Sequence, residues 1–310
     1  MTVSSDTAVC VDRRQAFIYN SPDSSEVNQE EMRNLIEICR PSTIEEALTL
    51  LARPAPRTAI LAGGTELVGQ ADPSIEAVID LSALGLDTIH LDGESLRVGA
   101  TATLNDIAMS EPIQAFVGGH LARAAHAATS SLLRRQATLG GSIVTAQAPE
   151  LLALLLALGA EVTVYAPQPT TLRLADLLSQ PLSGAWLLTE VVVPRRPGLG
   201  VSVHSVRRTP SDAPLVTAAA ALTIVDGPAQ YVGIGLGGVG MQPMSLAGAE
   251  IALRGQSLSN RLIETAVEAA VAEAPSLTDH RASAQYRAHV TGVLLRRALA
   301  DSWRAALDPS

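Results

Sequence analysis

The spacing of apolar positions changes along the chain and divides it into three parts. Residues 1–35 are polar and unpatterned and read as a flexible extension, with Ala16-Phe17-Ile18-Tyr19 as the one stretch able to dock elsewhere. Order begins near Ile36. Pro41-Ser42-Thr43-Ile44-Glu45-Glu46 is a capping-box start, in which a hydroxyl accepts from the third helical N–H and a glutamate reaches back. The helix it opens runs through Leu51 and stops before Pro54 and Pro56. Arg57–Leu61 and Ala77–Leu81 have the length and composition of strands. Ile89-His90-Leu91 and Ser95–Val98 flank Asp92-Gly93, a hairpin signal. Helical spacing dominates from Leu104 to about Arg134, and an apolar helix over Leu151–Leu158 is closed by Gly159. Glu161–Tyr165 and Leu187–Val193 then read as strands, and Pro194-Arg195-Arg196-Pro197-Gly198 marks a boundary.

Beyond that boundary the order changes to strand, strand, strand, helix, helix. Val201–Arg207, Val216–Val225 and Gln230–Leu236 precede helices over Asn260–Ala274 and Ala284–Leu307, the pattern of a small α+β unit. The expected organisation is therefore an extension (1–35), a first domain (36–198) in two lobes of about 36–98 and 99–198, and a C-terminal α+β domain (199–310). No internal repeat interrupts it.

Two glycine turns carry the candidate chemistry. They are Ala62-Gly63-Gly64-Thr65-Glu66-Leu67 and Ala137-Thr138-Leu139-Gly140-Gly141-Ser142-Ile143. Paired glycines allow positive φ and bare the backbone N–H groups, and successive N–H groups form a nest for an anion. Two facing nests, each with a hydroxyl at its rim, suit a pyrophosphate, so the pattern points to a dinucleotide. A third cluster, Gly233-Ile234-Gly235-Leu236-Gly237-Gly238, satisfies the Gly-x-Gly-x-x-Gly spacing. A nicotinamide-binding turn must lead directly into a helix, with an acidic residue about 20 positions on. Gly240, Pro243 and the Ser/Leu-rich stretch around Ser257 break that context, and the cluster reads as a glycine-rich strand and turn.

Composition narrows the function further. Of the 310 residues, 47 % are hydrophobic and only 3 % aromatic, so the core is aliphatic. The net charge of −9 argues against nucleic acid, which needs basic patches. There is no lysine, which removes Schiff-base chemistry and the lysine of a phosphate-binding NTPase loop. Cys10 and Cys39 are too few for an iron–sulfur cluster and read as free thiols, with a disulfide between them left open but unsupported by their spacing. The six histidines show no metal-ligand spacing, so no protein-bound metal is expected. The first residues lack a basic start and an apolar run. The longest apolar stretch, Leu151–Ala160, is about half of what a membrane span needs. A cytoplasmic protein without a membrane partner is expected.

From Ile36 onward the chain resembles the FAD-binding medium subunit of the molybdenum hydroxylases, the carbon monoxide and xanthine dehydrogenase family. The resemblance rests on Arg40–Ala47, Ala62-Gly63-Gly64-Thr65, Val98-Gly99-Ala100 with Thr103, Ala137–Gly141, Leu156–Val162, Ile234–Val239 and the terminal Asp279–Arg287. It implies a two-lobed FAD domain followed by an α+β domain. It also implies that Ala62, Gly63, Gly64 and Thr65 on one side, with Thr138, Leu139, Gly140 and Gly141 on the other, clasp the FAD pyrophosphate, with the neighbouring Glu66, Thr103 and Ser142 counted among the cofactor-binding residues. Thr103 belongs to the matching motif, and Glu150 stands where the family places an acidic residue on the ribose.

The chain departs from the family at Arg134-Arg135-Gln136, at Ser142, and at Gln147-Ala148-Pro149, which is one residue short. Ser202 and His204 stand where the family tends to carry a tyrosine and a lysine near the flavin ring. What the resemblance implies is an electron-transfer subunit. A large molybdenum-cofactor partner and a small iron–sulfur partner would deliver electrons, and FAD would pass them to an acceptor; a homodimer stays open as well. The alternative is a stand-alone protein, with or without flavin, serving as a cyclase, an isomerase or an interaction scaffold. No catalytic acid or base is assigned.

Overall fold

The computed structural model describes residues 9–12, 34–180, 182–209 and 212–308. Ala16–Tyr19 lies outside them. The architecture is α+β with three sheets, two in the first domain and one in the C-terminal domain.

The first lobe contains β1 (Val9–Asp12), β2 (Glu37–Arg40), α1 (Ile44–Ala52), β3 (Thr58–Leu61), α2 (Thr65–Gln70) and β4 (Ala77–Asp80). Its sheet runs β1-β2-β4-β3, with β2, β4 and β3 parallel and β1 antiparallel on β2. The cap of α1 forms as expected at Thr43, whose hydroxyl accepts the Glu46 N–H at 3.2 Å. The returning glutamate reaches one residue further than a capping box, to the Ser42 N–H at 2.9 Å. Two expectations are corrected here. Val9–Asp12 is a strand rather than flexible chain, and Cys10 and Cys39 are joined in a disulfide rather than free. Direct cross-strand pairing sets their Cα atoms 4.0 Å apart, and 29 residues of separation gave the sequence no hint of it.

The chain changes sheets between Asp80 and Ile89, ahead of the lobe boundary expected near residue 98. The second sheet, β5 (Ile89–Leu91), β6 (Ser95–Gly99), β9 (Leu187–Pro194), β7 (Glu161–Tyr165) and β8 (Pro169–Arg173) in that order, is antiparallel throughout. Between β6 and β7 lie α3 (Leu104–Met109), α4 (Glu111–Ala115), α5 (His120–Ala127), α6 (Ser131–Arg134), α7 (Leu139–Val144) and α8 (Pro149–Ala157). The helical spacing expected from Leu104 to about Arg134 is realised as four short helices. Pro112 restarts it, and the left-handed Val117, Gly118 and Gly119 break it again. A short α9 (Leu174–Ser179) follows β8.

The C-terminal domain is a meander of β10 (Gly200–Val206), β11 (Val216–Ile224), β12 (Ala229–Gly237) and the two-residue β13 (Met244–Ser245). α10 (Ala247–Leu253), α11 (Asn260–Glu273) and α12 (Ala284–Leu307) complete it. The terminal motif is a clasp: the fully buried Arg287 donates to the Leu215 and Gly238 carbonyls and pairs with Asp279 at 2.8 Å.

The two domains meet along α8, which is buried from Leu151 to Ala157 as expected of a helix without a polar face. The third glycine cluster explains how the sheet comes so close. Gly233, Gly235 and Gly237 alternate on one face of β12. A Cβ on them would sit 2.0, 1.9 and 2.6 Å from the carbonyl oxygens of Ala157, Ala153 and Pro149. Two residues of strand and four of helix advance about equally, ~6.7 and ~6 Å, so each bare position meets the next turn. The cluster is thus a strand, as its context predicted, and its glycines form a seat for α8. The Tyr231 hydroxyl donates to the Ala157 carbonyl at 2.7 Å, and Arg196 stacks 3.8 Å from the Tyr231 ring centre. Burial pushes the Tyr231 pKa up to about 12.

Candidate functional site

Both glycine turns open onto one cavity of about 540 Å³ between the lobes. That is within the usual range of small-molecule sites. All six residues Ala62–Leu67 line it, as do Ala137, Thr138, Gly140, Gly141 and Ser142. The turns also touch: a Cβ at Gly63 would lie 1.7 Å from the Gln136 carbonyl oxygen. Only a glycine lets the first turn come so close to the chain that enters the second.

Their backbones are built differently. Gly64 is left-handed, with φ +73°, and caps α2 without a side chain to accept a hydrogen bond. The first N–H bonded inside that turn is that of Val68, to the Gly64 carbonyl at 2.9 Å. The N–H groups of Thr65, Glu66 and Leu67 have no acceptor among the described residues, the usual state of a helix start. The second turn is the opposite case. Gly140 and Gly141 are helical, not left-handed, which corrects the expected nest. Leu139 N–H donates to the Ala102 carbonyl at 3.0 Å and Gly140 N–H to the Ala100 carbonyl at 2.8 Å. The Gly141 N–H is taken by the Thr138 hydroxyl at 3.1 Å, and the Ser142 hydroxyl donates to the Thr138 carbonyl at 2.9 Å. Glycine is required at 140 for space: a Cβ would meet Ala100 at 2.9 Å.

The remaining expected residues are placed around this cavity rather than in it. Thr103 caps α3 in a capping box with Asp106 and bridges to Thr138. Leu139 is buried in the core. Glu150 sits in the first turn of α8, where its Oε2 accepts from Ser205 at 3.0 Å and pairs with Arg207. Ser202 and His204, expected near the flavin ring, do not line the cavity. With Gly200 they share the face of β10 that packs on α12, where His204 Nε2 lies 2.8 Å from Asp301. The opposite face, carrying Ser205 and Arg207, is the one turned to the first domain. The sequence also missed Thr101, Gln147 and Trp186, which line the cavity. Trp186 had one available signal: it is one of two tryptophans in an aromatic-poor chain.

These features fit FAD. Open N–H donors and hydroxyls at the turns match phosphate oxygens, and Leu51, Ile60, Trp186 and Leu187 give apolar walls for flat rings. Among the described residues no helix is long and apolar enough to cross a membrane.

Residues 31–196 match the family described as FAD binding domain in molybdopterin dehydrogenase, and residues 202–302 match the CO dehydrogenase flavoprotein C-terminal domain. The chain is 31 % identical over 268 residues to the Escherichia coli (strain K12) protein YgfM, covering 86 % of this chain and 96 % of that one. It is 30 % identical over 285 residues to the nicotine 6-hydroxylase medium subunit of Paenarthrobacter nicotinovorans, covering 86 % and 97 %. Among solved structures it superposes on a chain of the carbon monoxide dehydrogenase from Hydrogenophaga pseudoflava with a TM-score of 0.78. That match is 26 % identical and covers 86 % of this chain and 96 % of that one. The cavity, the two turns and both matched domains lead to one assignment: the chain belongs to the FAD-binding medium-subunit family of the molybdenum hydroxylases.

Proposed function

We propose that this chain holds FAD between its two glycine turns and relays electrons through it, from the iron–sulfur clusters of a small partner to an acceptor. A large molybdenum-cofactor partner would oxidise the substrate. The observation that carries the reading is the convergence of both turns on one cavity, with Gly63 in backbone contact with Gln136.

FAD supplies the redox chemistry, and the protein supplies position and surroundings. The N–H groups of Thr65, Glu66 and Leu67, with the Thr65 hydroxyl, hold the pyrophosphate from one side. The second turn holds its glycine-bared face and the Thr138 hydroxyl against the other. Glu150, with Oε2 engaged by Arg207 and Ser205, anchors the start of α8 beside the cavity rather than lining it. Trp186 and Leu187 cover the apolar part of the cavity and exclude water. No side chain is assigned to proton transfer. Ser202 and His204 share the face of β10 that packs on α12, so the electron-relay reading does not depend on a cation at residue 204.

The test is isolation of the tagged chain from its own host, followed by metal and flavin analysis of what comes with it. Co-purification of molybdenum, iron and FAD is expected. A flavin-loaded chain that carries neither metal overturns the relay reading.

A further inference from the structure

Arg207 lies just outside the cavity and joins two stretches of its wall. Its Nη1 donates to the Ala127 carbonyl at 3.2 Å, and its Nη2 pairs with the Glu150 carboxylate. Ala127 ends α5, and the next two residues, Ala128 and Thr129, line the cavity. Glu150 lies in the first turn of α8, and Gln147 and Ala148, just ahead of that helix, line the cavity. The side chains of Arg207 and Glu150 are only 16 % and 17 % exposed, so this is not a solvated surface pair. Ser205, near the end of β10 and two residues earlier, adds a second bond, at 3.0 Å, to the same carboxylate oxygen.

The wall segment held in this way is an unusual one. Ala146 and Ala148 both have positive φ, +55° and +61°, flanking Gln147. Residues with a Cβ rarely adopt that conformation and keep it only where their surroundings fix it. Pro149, directly before Glu150, has no N–H to help. The Ala146 N–H bonds locally to the Ile143 carbonyl at 3.2 Å, and the hydrogen bonds to the Glu150 side chain come from the other domain.

We propose that Arg207 is a positioning residue for FAD: through Glu150 it fixes the 146–148 wall, and through Ala127 the 128–129 wall, so that docking of the C-terminal domain sets the shape of the cofactor cavity. The proposal rests on FAD occupying this cavity. Lysine cannot replace arginine fully, because one ammonium group lacks the planar fork that reaches both acceptors.

The test is equilibrium binding of FAD to the reconstituted full-length chain, by ultrafiltration, with the flavin absorption band as a second readout. Arg207→Ala weakens FAD by roughly tenfold or more, the scale of a lost hydrogen bond to a charged group. Arg207→Lys falls between it and the wild type. In the pair Arg207→Ala with Glu150→Ala, the combined loss is smaller than the sum of the two single losses, because one of the two arms of Arg207 acts through that carboxylate. Wild-type affinity and an unchanged flavin band in Arg207→Ala overturn the proposal. So does a double variant whose losses add, and, should Arg207→Ala not fold, so does wild-type affinity in Arg207→Lys. A wild-type chain that binds no FAD removes the cofactor reading and this proposal together, so the two failures are distinguishable.

Discussion

The turn at 62–67 and the turn at 137–142 stand on opposite sides of one cavity, yet their backbone donors are used in opposite ways. In the first, Gly64 is left-handed and the N–H groups of Thr65–Leu67 are left without acceptors. In the second, the N–H groups of Leu139, Gly140, Gly141 and Ser142 all bond inside the protein. One side is therefore prepared to bind an anion and the other to stay rigid. Paired glycines serve both purposes, because a missing Cβ gives either a backbone angle or room for a neighbour.

The comparison breaks most severely at Gly63. A valine there drives its side chain into the Gln136 backbone, between the end of β3 and the turn that follows α6, and neither can yield without opening the cavity. Gly63→Val is expected to destabilise the protein by more than about 3 kcal/mol, beyond ordinary overpacking, and to abolish FAD retention. A melting curve and flavin analysis of the purified variant check both.

Gly140→Ala and Gly64→Ala separate the two uses of glycine. At 140 the new methyl presses on Ala100, and a loss of about 1–3 kcal/mol in stability is expected, with FAD affinity of the folded protein little changed. At 64 the backbone must hold φ +73° with a Cβ present, at about 1–2 kcal/mol, and the donors of Thr65–Leu67 shift with it. There the FAD dissociation constant rises more than the melting temperature falls. Equal ratios of the two effects in both variants would erase the distinction.

What the sequence revealed of these regions follows from what a local pattern can encode. The strands and the α8 helix were readable because their apolar spacing is local, and so was the rejection of Gly233–Gly238 as a dinucleotide turn. The use of the 137–142 donors was not, because their acceptors Ala100 and Ala102 lie nearly 40 residues earlier. The strand at Val201–Arg207 was foreseen, but the face it turns to the first domain was not, and His204 was assigned to the wrong side. The clue was Gly200: a Cβ there would strike Ser302 and Ala306, so residues of its parity face α12. The Cys10–Cys39 disulfide joins strands whose intervening chain carries no pattern, so its pairing was not legible.

The smallest expected effect lies at the edge of the C-terminal sheet. Burial raises the pKa of Glu250, which accepts the Ile234 N–H at 2.8 Å. A raised folded-state value means that its protonated form favours folding below the unfolded carboxylate pKa, and that this contribution is lost as pH rises through the folded value. Glu250→Gln keeps the acceptor without the charge. Its melting temperature should exceed the wild type by no more than about 2 °C at pH 8, with the gap closing in acid. A gap that widens in acid contradicts the assignment.

The difference between the two turns is tested most directly by amide hydrogen exchange on the apo and FAD-loaded protein. The account predicts that Thr65, Glu66 and Leu67 exchange fast without FAD and slowly with it, while Leu139, Gly140 and Gly141 are protected in both states. Protection by FAD confined to 139–141, with 65–67 unchanged, would contradict it.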